Sequence, residues 1–491
     1  MKKISALLFS VLFIFTSCNK EGGDEPKVIN PNANLDVQDF MWKAMNLWYF
    51  WQADVPDLAD NKFTTDKEYT EYLAANADPE DFFNEKLLHG EDRFSFLTDD
   101  YKELVESFAG VSKSNGLEYG LVQKTGSDDV LGYVQYIVPD SDAADKEITR
   151  GDLFTGVDGQ TLTLSNYVGL LFGDNDTYTL NMADYDGGNY TSNGKSVSLT
   201  KEEGLVENPV FKTETFDING YKIGYLMYNR FTSNFDDDLN DAFGVLKAAN
   251  VEHLVLDMRY NPGGSVNSSR LLASMIHTTN TNKLYIRQRW NAKVQAAFSA
   301  SDVEDYFDNE TGSGAEINTL NLDKIYVLAT NNSASASELV MNGLAPYVDV
   351  VHIGTTTRGK NEFSLTFVDD PDRPGAPFVY TQSRESSINT KNSWGIQPLV
   401  GRNENADGFF DYTAGFVPTI ELKESLSDLG VLGDVNEPLL ARAIEEITGI
   451  TSKRDFTVAA PIETITSSRF FTPLKDNMYL DKPLNLNIDL E

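Results

Sequence analysis

The stretch KIYVLATNNSASASELVMNGLAPY, residues 324–347, joins two apolar runs through a turn that contains three serines. KIYVLAT is typical of a buried strand, and ELVMNGLAPY has the apolar spacing of a helix. Ser335 and Glu338 have the capping-box spacing, in which the serine oxygen accepts a backbone N–H and the glutamate reaches back. A serine at a helix N-terminus also lies where backbone amides favour a developing negative charge, so a structural and a chemical role both stay open.

Strand and helix patterns also alternate on both sides of this stretch. YKIGYLMYNRF, VEHLVLDMRY and VDVVHIG are strand-like, whereas FDDDLNDAFGVLKAANV and EPLLARAIEEITG are helical. This alternation predicts an α/β core domain over residues 204–450.

Two regions of different pattern precede the core, and one follows it. Residues 36–108 carry apolar side chains at helical spacing and predict a helical domain; the leading stripe is Phe40, Ala44, Leu47, Trp48 and Trp51. Residues 109–203, the β-rich module, alternate apolar and polar residues between Gly, Asp and Asn, which is typical of short strands and turns. Residues 451–491 show no clear element before LNLNIDLE and are interpreted as a C-terminal appendage. The expected fold is therefore a multi-domain α/β protein, in keeping with its 491 residues.

The composition excludes one class of partner. The chain carries a formal net charge of -35, and a protein that binds nucleic acid needs a basic surface to release counterions. We therefore expect no nucleic-acid partner. The hydrophobic content of 41% is ample for packed cores, which argues against wholesale disorder.

The N-terminus predicts export. Residues 1–17 place two lysines before an apolar run that is too short for a permanent membrane span, which is the pattern of a signal peptide. Cys18 is the only cysteine in the chain and resembles the lipidated cysteine of a bacterial lipoprotein, although Phe15 stands where leucine is usual. Residues 18–35 are polar and predict a flexible tether. We expect an extracytoplasmic protein that is lipid-anchored to the cell envelope, at the outer membrane and exposed at its surface, with an ordinary secretory signal as the alternative.

The sequence gives little support for the common kinds of hydrolytic active site. The four histidines, His89, His253, His277 and His352, lie outside any triad pattern, and the sequence has no HExxH, GxSxG or paired cysteine motif. No metal and no organic cofactor are predicted. A serine in this chain would therefore need a base other than histidine, and a lysine is the remaining candidate.

Three features of the sequence together indicate that this lysine is Lys360. The SASASE run follows an apolar strand, a glycine-lysine turn places Lys360 25 residues after Ser335, and LDMRYNPGG lies upstream. In this combination the chain resembles the C-terminal processing, or tail-specific, serine peptidases. The resemblance covers about residues 36–450 and implies a helical N-terminal region, a PDZ domain and a crotonase-like (ββα) core.

The resemblance also implies roles for individual residues. Ser335 corresponds to the nucleophile and Lys360 to its base, so that Ser333 and Ser337 become flanking structure. The oxyanion formed on attack would be held by backbone amides of Ala336 and of the turn at Gly263 and Gly264. By itself, the NPGG turn would indicate only a tight connection between a strand and a helix, and the chemical role is favoured because Ser335 and Lys360 accompany it.

A lysine base sets a physical condition on its surroundings. A free lysine with a pKa of about 10.4 is almost entirely protonated at neutral pH, so burial must lower the pKa of Lys360. We therefore predict a mostly apolar pocket, with Arg358 acting in the same direction. One residue departs from the family pattern. Ser364 occupies the position of a glutamine that is oriented toward the lysine, and an extended chain would place Glu362 beside Lys360, where it would raise the lysine pKa.

The β-rich module has a looser resemblance of its own. The stretch IVPDSDAADKEITRGDLFTGVDGQTL is similar to the centre of a PDZ domain. PDZ domains take a peptide as an added strand and hold its carboxylate on backbone amides. This resemblance implies a peptide-binding loop at Tyr119, Gly120 and Leu121, with a spacer module as the alternative.

The resulting hypothesis is a serine endopeptidase that cleaves extracytoplasmic proteins or peptides, near their C-termini, through a Ser335–Lys360 dyad and an acyl-enzyme. One alternative is a non-catalytic lipoprotein that binds peptides or hydrophobic ligands on the same fold. Another is a scaffold that recruits peptides without cutting them. The sequence leaves the physiological substrate and the oligomeric state open.

Overall fold

The computed structural model describes residues 35–186, 189–450, 462–482 and 484. The predicted signal peptide, Cys18 and almost all of the predicted tether lie outside this range. Within it, no helix combines the length and the apolar character needed to cross a bilayer.

The N-terminal region is helical, as its apolar spacing predicts. Its elements are α1 Asp36–Trp48, α2 Asp66–Ala75, α3 Pro79–Phe82, the short strand β1 Phe96–Thr98, and α4 Tyr101–Phe108. Phe40, Ala44 and Trp48 form the buried face of α1, whereas Leu47 is only partly buried. These side chains share one hydrophobic core with strands and helices of the α/β part, so the two regions pack as one body.

The β-rich module consists of antiparallel strands around a short helix. Its elements are β2 Val111–Ser114, β3 Leu117–Lys124, β4 Val130–Ile137, β5 Leu153–Val157, β6 Gln160–Thr161, α5 Tyr167–Leu171, β7 Thr177–Asp186, β8 Asn189–Thr200 and β9 Glu202–Val206. The sheet has the order β3-β4-β5-β7-β8. Its interior side chains form a separate core that includes Tyr119, Leu121 and Phe154.

Most of the remaining elements belong to the predicted α/β core. They are β10 Val210–Ile218, β11 Tyr221–Tyr228, α6 Asp236–Ala248, β12 His253–Asp257, β13 Gly264–Ser265, α7 Val266–Ile276, β14 Leu284–Trp290, α8 Ala292–Gln295, β15 Glu304–Tyr306, β16 Lys324–Ala329, α9 Ala336–Leu344, β17 Asp349–Gly354, β18 Glu362–Ser364, β19 Gly395–Gln397, β20 Leu399–Asn405, β21 Ile420–Glu421 and α10 Pro438–Thr448. One sheet has the order β10-β11-β12-β16-β17-β21 and is parallel from β11 onward. The carboxyl ends of β12 and β16 therefore meet at one edge, where the NPGG turn and the serine turn lie side by side.

The final described segment corrects the interpretation of residues 451–491 as an appendage without elements. Residues 462–482, the C-terminal segment, contain β22 Ile462–Ser467, a short helical turn at Ser468–Phe471, and β23 Met478–Tyr479. β22 joins the sheet of the β-rich module beside β3, and β23 lies between β13 and β18 in the second sheet of the core. Its pairing partners lie more than one hundred residues away in sequence, so no local pattern could reveal them.

Candidate active site

The three serines of the opening stretch have different surroundings. Ser333 Oγ donates to the Met258 carbonyl at 2.7 Å, and Ser337 Oγ donates to the Asn261 carbonyl at 2.9 Å. Both hydroxyls thereby hold the turn after β16 against the turn after β12. Ser335 Oγ is fully buried and has no hydrogen-bond partner among the described residues. The free hydroxyl belongs to the serine that the spacing to Lys360 selects.

Ser335 also has an unusual backbone. It precedes α9 with φ 64° and ψ -116°, a combination that residues other than glycine rarely adopt. Such strain persists only where surrounding contacts impose it, and it is concentrated at functional sites. Among those contacts, the Ser335 amide donates to Glu338 Oε2 at 2.9 Å, and the Ser335 carbonyl accepts from the Leu339 amide at 2.8 Å.

The Glu338 carboxylate joins the serine turn to the lysine turn. Its Oε2 accepts the amides of both Ser335 and Lys360 at 2.9 Å. Its Oε1 accepts the Gly359 amide and Thr357 Oγ1, each at 2.6 Å. Burial raises the pKa of Glu338 to about 7, while these four donors favour the charged form. Glu338 therefore fixes the two backbones relative to each other, a role beyond the capping box that its spacing predicts.

Lys360 is fully buried, and its Nζ has no hydrogen-bond partner among the described residues. It follows Gly359, whose φ of 80° and close approach to the Thr413 carbonyl exclude a side chain. The Nζ lies 4.9 Å from the centre of the Phe94 ring, which the N-terminal region contributes. Burial lowers the pKa of Lys360 below its ordinary value, in the direction that a base requires.

The pocket around Lys360 is not mostly apolar, contrary to the prediction. Asp476 Oδ1 lies 3.9 Å from the Nζ, and Asp476 also pairs with Arg358 at 3.3 Å. After burial, the main influences on the Lys360 pKa are Asp476, then Glu362 and Asp92, which all raise it, and then Arg358, which lowers it. The expected effects of Glu362 and Arg358 thus have the predicted signs. Glu362 is itself paired with Arg402 at 3.3 Å.

The glycine turn after β12 lies directly against Ser335. A Cβ on Gly263 would come within 2.4 Å of the Ser335 Cβ, so only glycine fits there. The Gly263 amide donates to Asn261 Oδ1 at 2.9 Å and is therefore already engaged. The Ala336 amide is the first of α9 and has no acceptor within the helix. Gly264 lies in β13, where it pairs with Met478 of β23, and Gly263 provides the close approach to Ser335. The oxyanion roles of Ala336 and Gly264 stay predictions.

Ser335 Oγ and Lys360 Nζ do not hydrogen-bond one another, since neither has a partner among the described residues. Their backbones are nevertheless held on one oxygen of Glu338. Catalytic hydrogen bonds are often loose without substrate, so this geometry is compatible with a Ser/Lys pair.

Sequence comparison agrees with this geometry. Residues 222–398, which include both Ser335 and Lys360, match the model of peptidase family S41. Residues 36–96, which include Phe94, match the peptidase S41 N-terminal domain. The chain belongs to peptidase family S41.

Relatives of the chain include carboxyl-terminal processing proteases. A carboxyl-terminal-processing protease of Picosynechococcus is 23% identical over 208 residues, which are 42% of this chain and 45% of that protein. A carboxy-terminal processing protease of Bacillus subtilis is 30% identical over 153 residues, 31% of this chain and 28% of that protein. The chain thus aligns with less than half the length of these relatives.

A solved structure matches a much larger part of the chain. The crystal structure of a protein assigned as an S41 protease from Bacteroides fragilis is 27% identical, with a TM-score of 0.62. The match covers 84% of this chain and 97% of that one. The mixed α/β architecture is therefore that of an S41 protein.

Ser364, at the position where the resemblance leads us to expect a glutamine, belongs to a polar cluster. Ser364 Oγ lies 2.5 Å from Asn477 Oδ1 and accepts from Gln397 Nε2 at 3.2 Å. Gln397 Oε1 and Asn477 Nδ2 are buried without partners among the described residues. Buried polar groups without a partner usually face water or a ligand. Ser364 therefore belongs to a polar network on β18, the strand that follows Lys360.

The predicted peptide-binding loop has a different conformation. Tyr119, Gly120 and Leu121 lie within strand β3, and β22 covers part of them, with Gly120 opposite Ser467. The prediction of a loop at these residues is wrong. Their predicted role in binding peptides now applies to the edge of strand β3. The amphipathic spacing of GLEYGLVQK was the signal for a strand.

The sequence did not reveal that three residues, Glu338, Phe94 and Asp476, belong to this site. Glu338 was assigned to a cap only, although it stands in the SASASE motif. Phe94 and Asp476 reach Lys360 from residues 266 positions before it and 116 after it. No pattern in one sequence connects positions so far apart.

Proposed function

We propose that this chain is a serine-type peptidase in which Ser335 is the nucleophile and Lys360 the general base. The observation that carries the proposal is a pair of buried groups without hydrogen-bond partners in the described part of the chain, Ser335 Oγ and Lys360 Nζ, whose backbones are joined through Glu338. Membership of the S41 family supports the same reaction.

The chemistry follows from these positions. Neutral Lys360 accepts the Ser335 proton as Oγ attacks the substrate carbonyl carbon, and the resulting oxyanion accepts hydrogen bonds from the Ala336 and Gly264 amides. The protonated lysine then gives its proton to the leaving amine as the peptide bond breaks. Water, deprotonated by the same lysine, then attacks the acyl carbon. The ester bond to Oγ breaks, and the lysine returns the proton to Ser335 Oγ as the new carboxyl terminus leaves. Each step needs Lys360 to gain and lose one proton, which a lowered pKa favours.

The substrate is a protein or peptide segment in extended conformation. The names of the relatives support cleavage near a carboxyl terminus, and the module with the PDZ-like stretch would hold the segment at the edge of β3. Residues 1–18 support an extracytoplasmic, lipid-anchored location by their sequence. The crotonase-like core and the domain limits at residues 108, 203 and 450 belong to the same proposal.

A ligand-binding lipoprotein fits the structure less well. A cavity of about 490 Å³ lies between the β-rich module and the C-terminal segment. Its walls include Arg230, Arg469, Glu118 and Glu207, which suit a polar ligand better than a lipid.

Serine substitutions test the peptidase directly. The soluble chain starting after Cys18 is incubated with an unfolded protein, and fragments are measured by intact mass. We expect Ser335→Ala to abolish cleavage and Lys360→Met to reduce it at least a thousandfold, on the order of the loss for a catalytic nucleophile or base. Ser337→Ala is the matched control from the same turn and should keep cleaving. Equal cleavage by Ser335→Ala would refute the assignment.

A further inference from the structure

The C-terminal segment follows the path expected of a peptide ligand. β22 pairs antiparallel with β3, from Ile462 opposite Lys124 to Ser467 opposite Gly120. Addition of a strand to an exposed sheet edge is the mode by which many domains bind extended peptides. The edge of β3 is therefore already occupied by this chain itself.

Side chains anchor the segment after β22. The Phe471 ring stacks on Phe172 with centroids 3.7 Å apart, and Ser468 Oγ accepts the Tyr119 amide at 3.0 Å. Arg469 is buried and pairs with Glu207 at 2.5 Å. These contacts fix the segment at the junction of the β-rich module and the core.

The segment then enters the catalytic pocket. Asp476 is the acidic group nearest to Lys360 Nζ, at 3.9 Å, and Asn477 contacts Ser364. Met478 and Tyr479 pair with Gly264 and Ser265 on one side, and Tyr479 pairs with Ser364 on the other. β23 thus fills the space between the end of the NPGG turn and β18, the strand that follows Lys360.

A consequence is that the site is closed. Ser335, Ala336 and Lys360 have no solvent exposure. A peptide cannot reach Ser335 Oγ unless a covering element moves. The C-terminal segment lies beside Lys360 through Asp476 and also occupies the strand edge expected to hold substrate.

We infer that residues 462–482 are an internal occupant of the peptide-binding edge and of the lysine pocket, and that substrate must displace them before cleavage. This inference rests on the proposed peptidase function and adds its regulation. Departure of the segment opens the edge of β3 and removes the carboxylate nearest Lys360. Asp92, Glu362 and Arg358 stay in place around the lysine and continue to act on it.

A reversible disulfide tests the displacement. Gln123 and Glu463 are directly opposite on β3 and β22, and Glu463 is exposed. Opposed residues in antiparallel strands have Cα atoms about 4.5–5.5 Å apart, within the range of about 4.4–6.8 Å that disulfides span. The Gln123→Cys/Glu463→Cys variant, made in the chain that starts after Cys18, has no other cysteine. The single variants Gln123→Cys and Glu463→Cys are its controls.

The expected result is at least a tenfold lower kcat/KM for an unfolded protein substrate in the oxidised double variant, restored on reduction. The single variants should be indifferent to oxidation. Equal activity of the oxidised and reduced forms would overturn the inference while leaving the peptidase in place. If the reduced variant, the wild-type chain and Ser335→Ala were all inert, the proposed function itself would fail.

A second variant avoids dependence on the disulfide. Phe471→Ala removes the stack on Phe172. Because Phe471 is 39% exposed, the change weakens docking of the C-terminal segment with little effect on the core. Because an aromatic pair contributes about 0.5–1.5 kcal/mol, we expect kcat/KM to rise about two- to tenfold. Unchanged or lower kcat/KM in a folded Phe471→Ala protein would contradict the inference.

Discussion

The strained backbone of Ser335 has a measurable cost. Glycine adopts φ 64° and ψ -116° readily, whereas serine and alanine do not. Strain of this kind costs about 1–3 kcal/mol, partly offset by the greater freedom of glycine in the unfolded chain. We expect Ser335→Gly to exceed Ser335→Ala in free energy of unfolding by about 1 kcal/mol, measured by urea denaturation. Equal or lower stability of the glycine variant would show that the turn is unstrained.

At the same scale, the sequence predicted a pair of reacting side chains but not their environment. Ser335 and Lys360 were selected by motif spacing, and the bound hydroxyls of Ser333 and Ser337 give an independent reason for that choice. The charged pocket of Lys360 was not predictable, because Asp476 arrives from a distant strand.

At the scale of elements, a buried ion network adjoins the NPGG turn. Arg259 follows β12 and pairs with Asp257 at 2.7 Å and with Glu437, the N-cap of α10, at 2.6 Å. Glu424 links it to Arg150 of the β-rich module. The network thus joins β12, α10 and the β-rich module next to the NPGG turn.

Loss of the central cation should be severe. Arg259→Leu leaves the buried carboxylates of Asp257 and Glu437 without their ion-pair partner, and we expect the free energy of unfolding to fall by about 3–5 kcal/mol. The comparison is Arg442→Leu on α10, where a partly exposed pair with Glu446 at 2.6 Å should contribute about 1 kcal/mol or less. Thermal unfolding of both variants measures the difference. Similar losses in the two variants would contradict the role given to the network.

Elements with local signals were predicted well, and elements held by distant partners were not. The spacing of Phe40, Ala44 and Trp48 predicted α1, and the capping pattern at Ser335 predicted the start of α9. β22 and β23 carry no comparable pattern, since their stability depends on β3, β13 and β18.

For the whole molecule, buried acids predict how stability depends on pH. Burial raises the pKa of Asp236 to about 7, and its Oδ1 has no partner among the described residues. Burial also raises the pKa of Asp481, which lies in the C-terminal segment and accepts Ser265 Oγ at 2.7 Å. Between about pH 4 and pH 7 the folded chain keeps a proton on Asp236 that the unfolded chain releases, so the free energy of unfolding falls as pH rises through this window.

Asp236→Asn should remove this dependence. We expect the variant to have a higher Tm than the wild-type chain at pH 8, with a smaller difference at pH 5. The control is Asp241→Asn, which changes an exposed carboxylate on the same helix. An equal Tm difference at both pH values would contradict the assignment of a raised pKa to Asp236.

The most direct test of the Ser335–Lys360 mechanism is the pH dependence of cleavage. The soluble chain and Ser335→Ala are incubated with an unfolded, disulfide-free protein from pH 6 to pH 10, long enough to detect slow turnover, and products are measured by intact mass. We predict cleavage by the wild-type chain only, rising with pH along a single ionisation whose pKa lies below the ordinary lysine value of 10.5. Cleavage that persists in Ser335→Ala, or a wild-type rate without that ionisation, would contradict the mechanism.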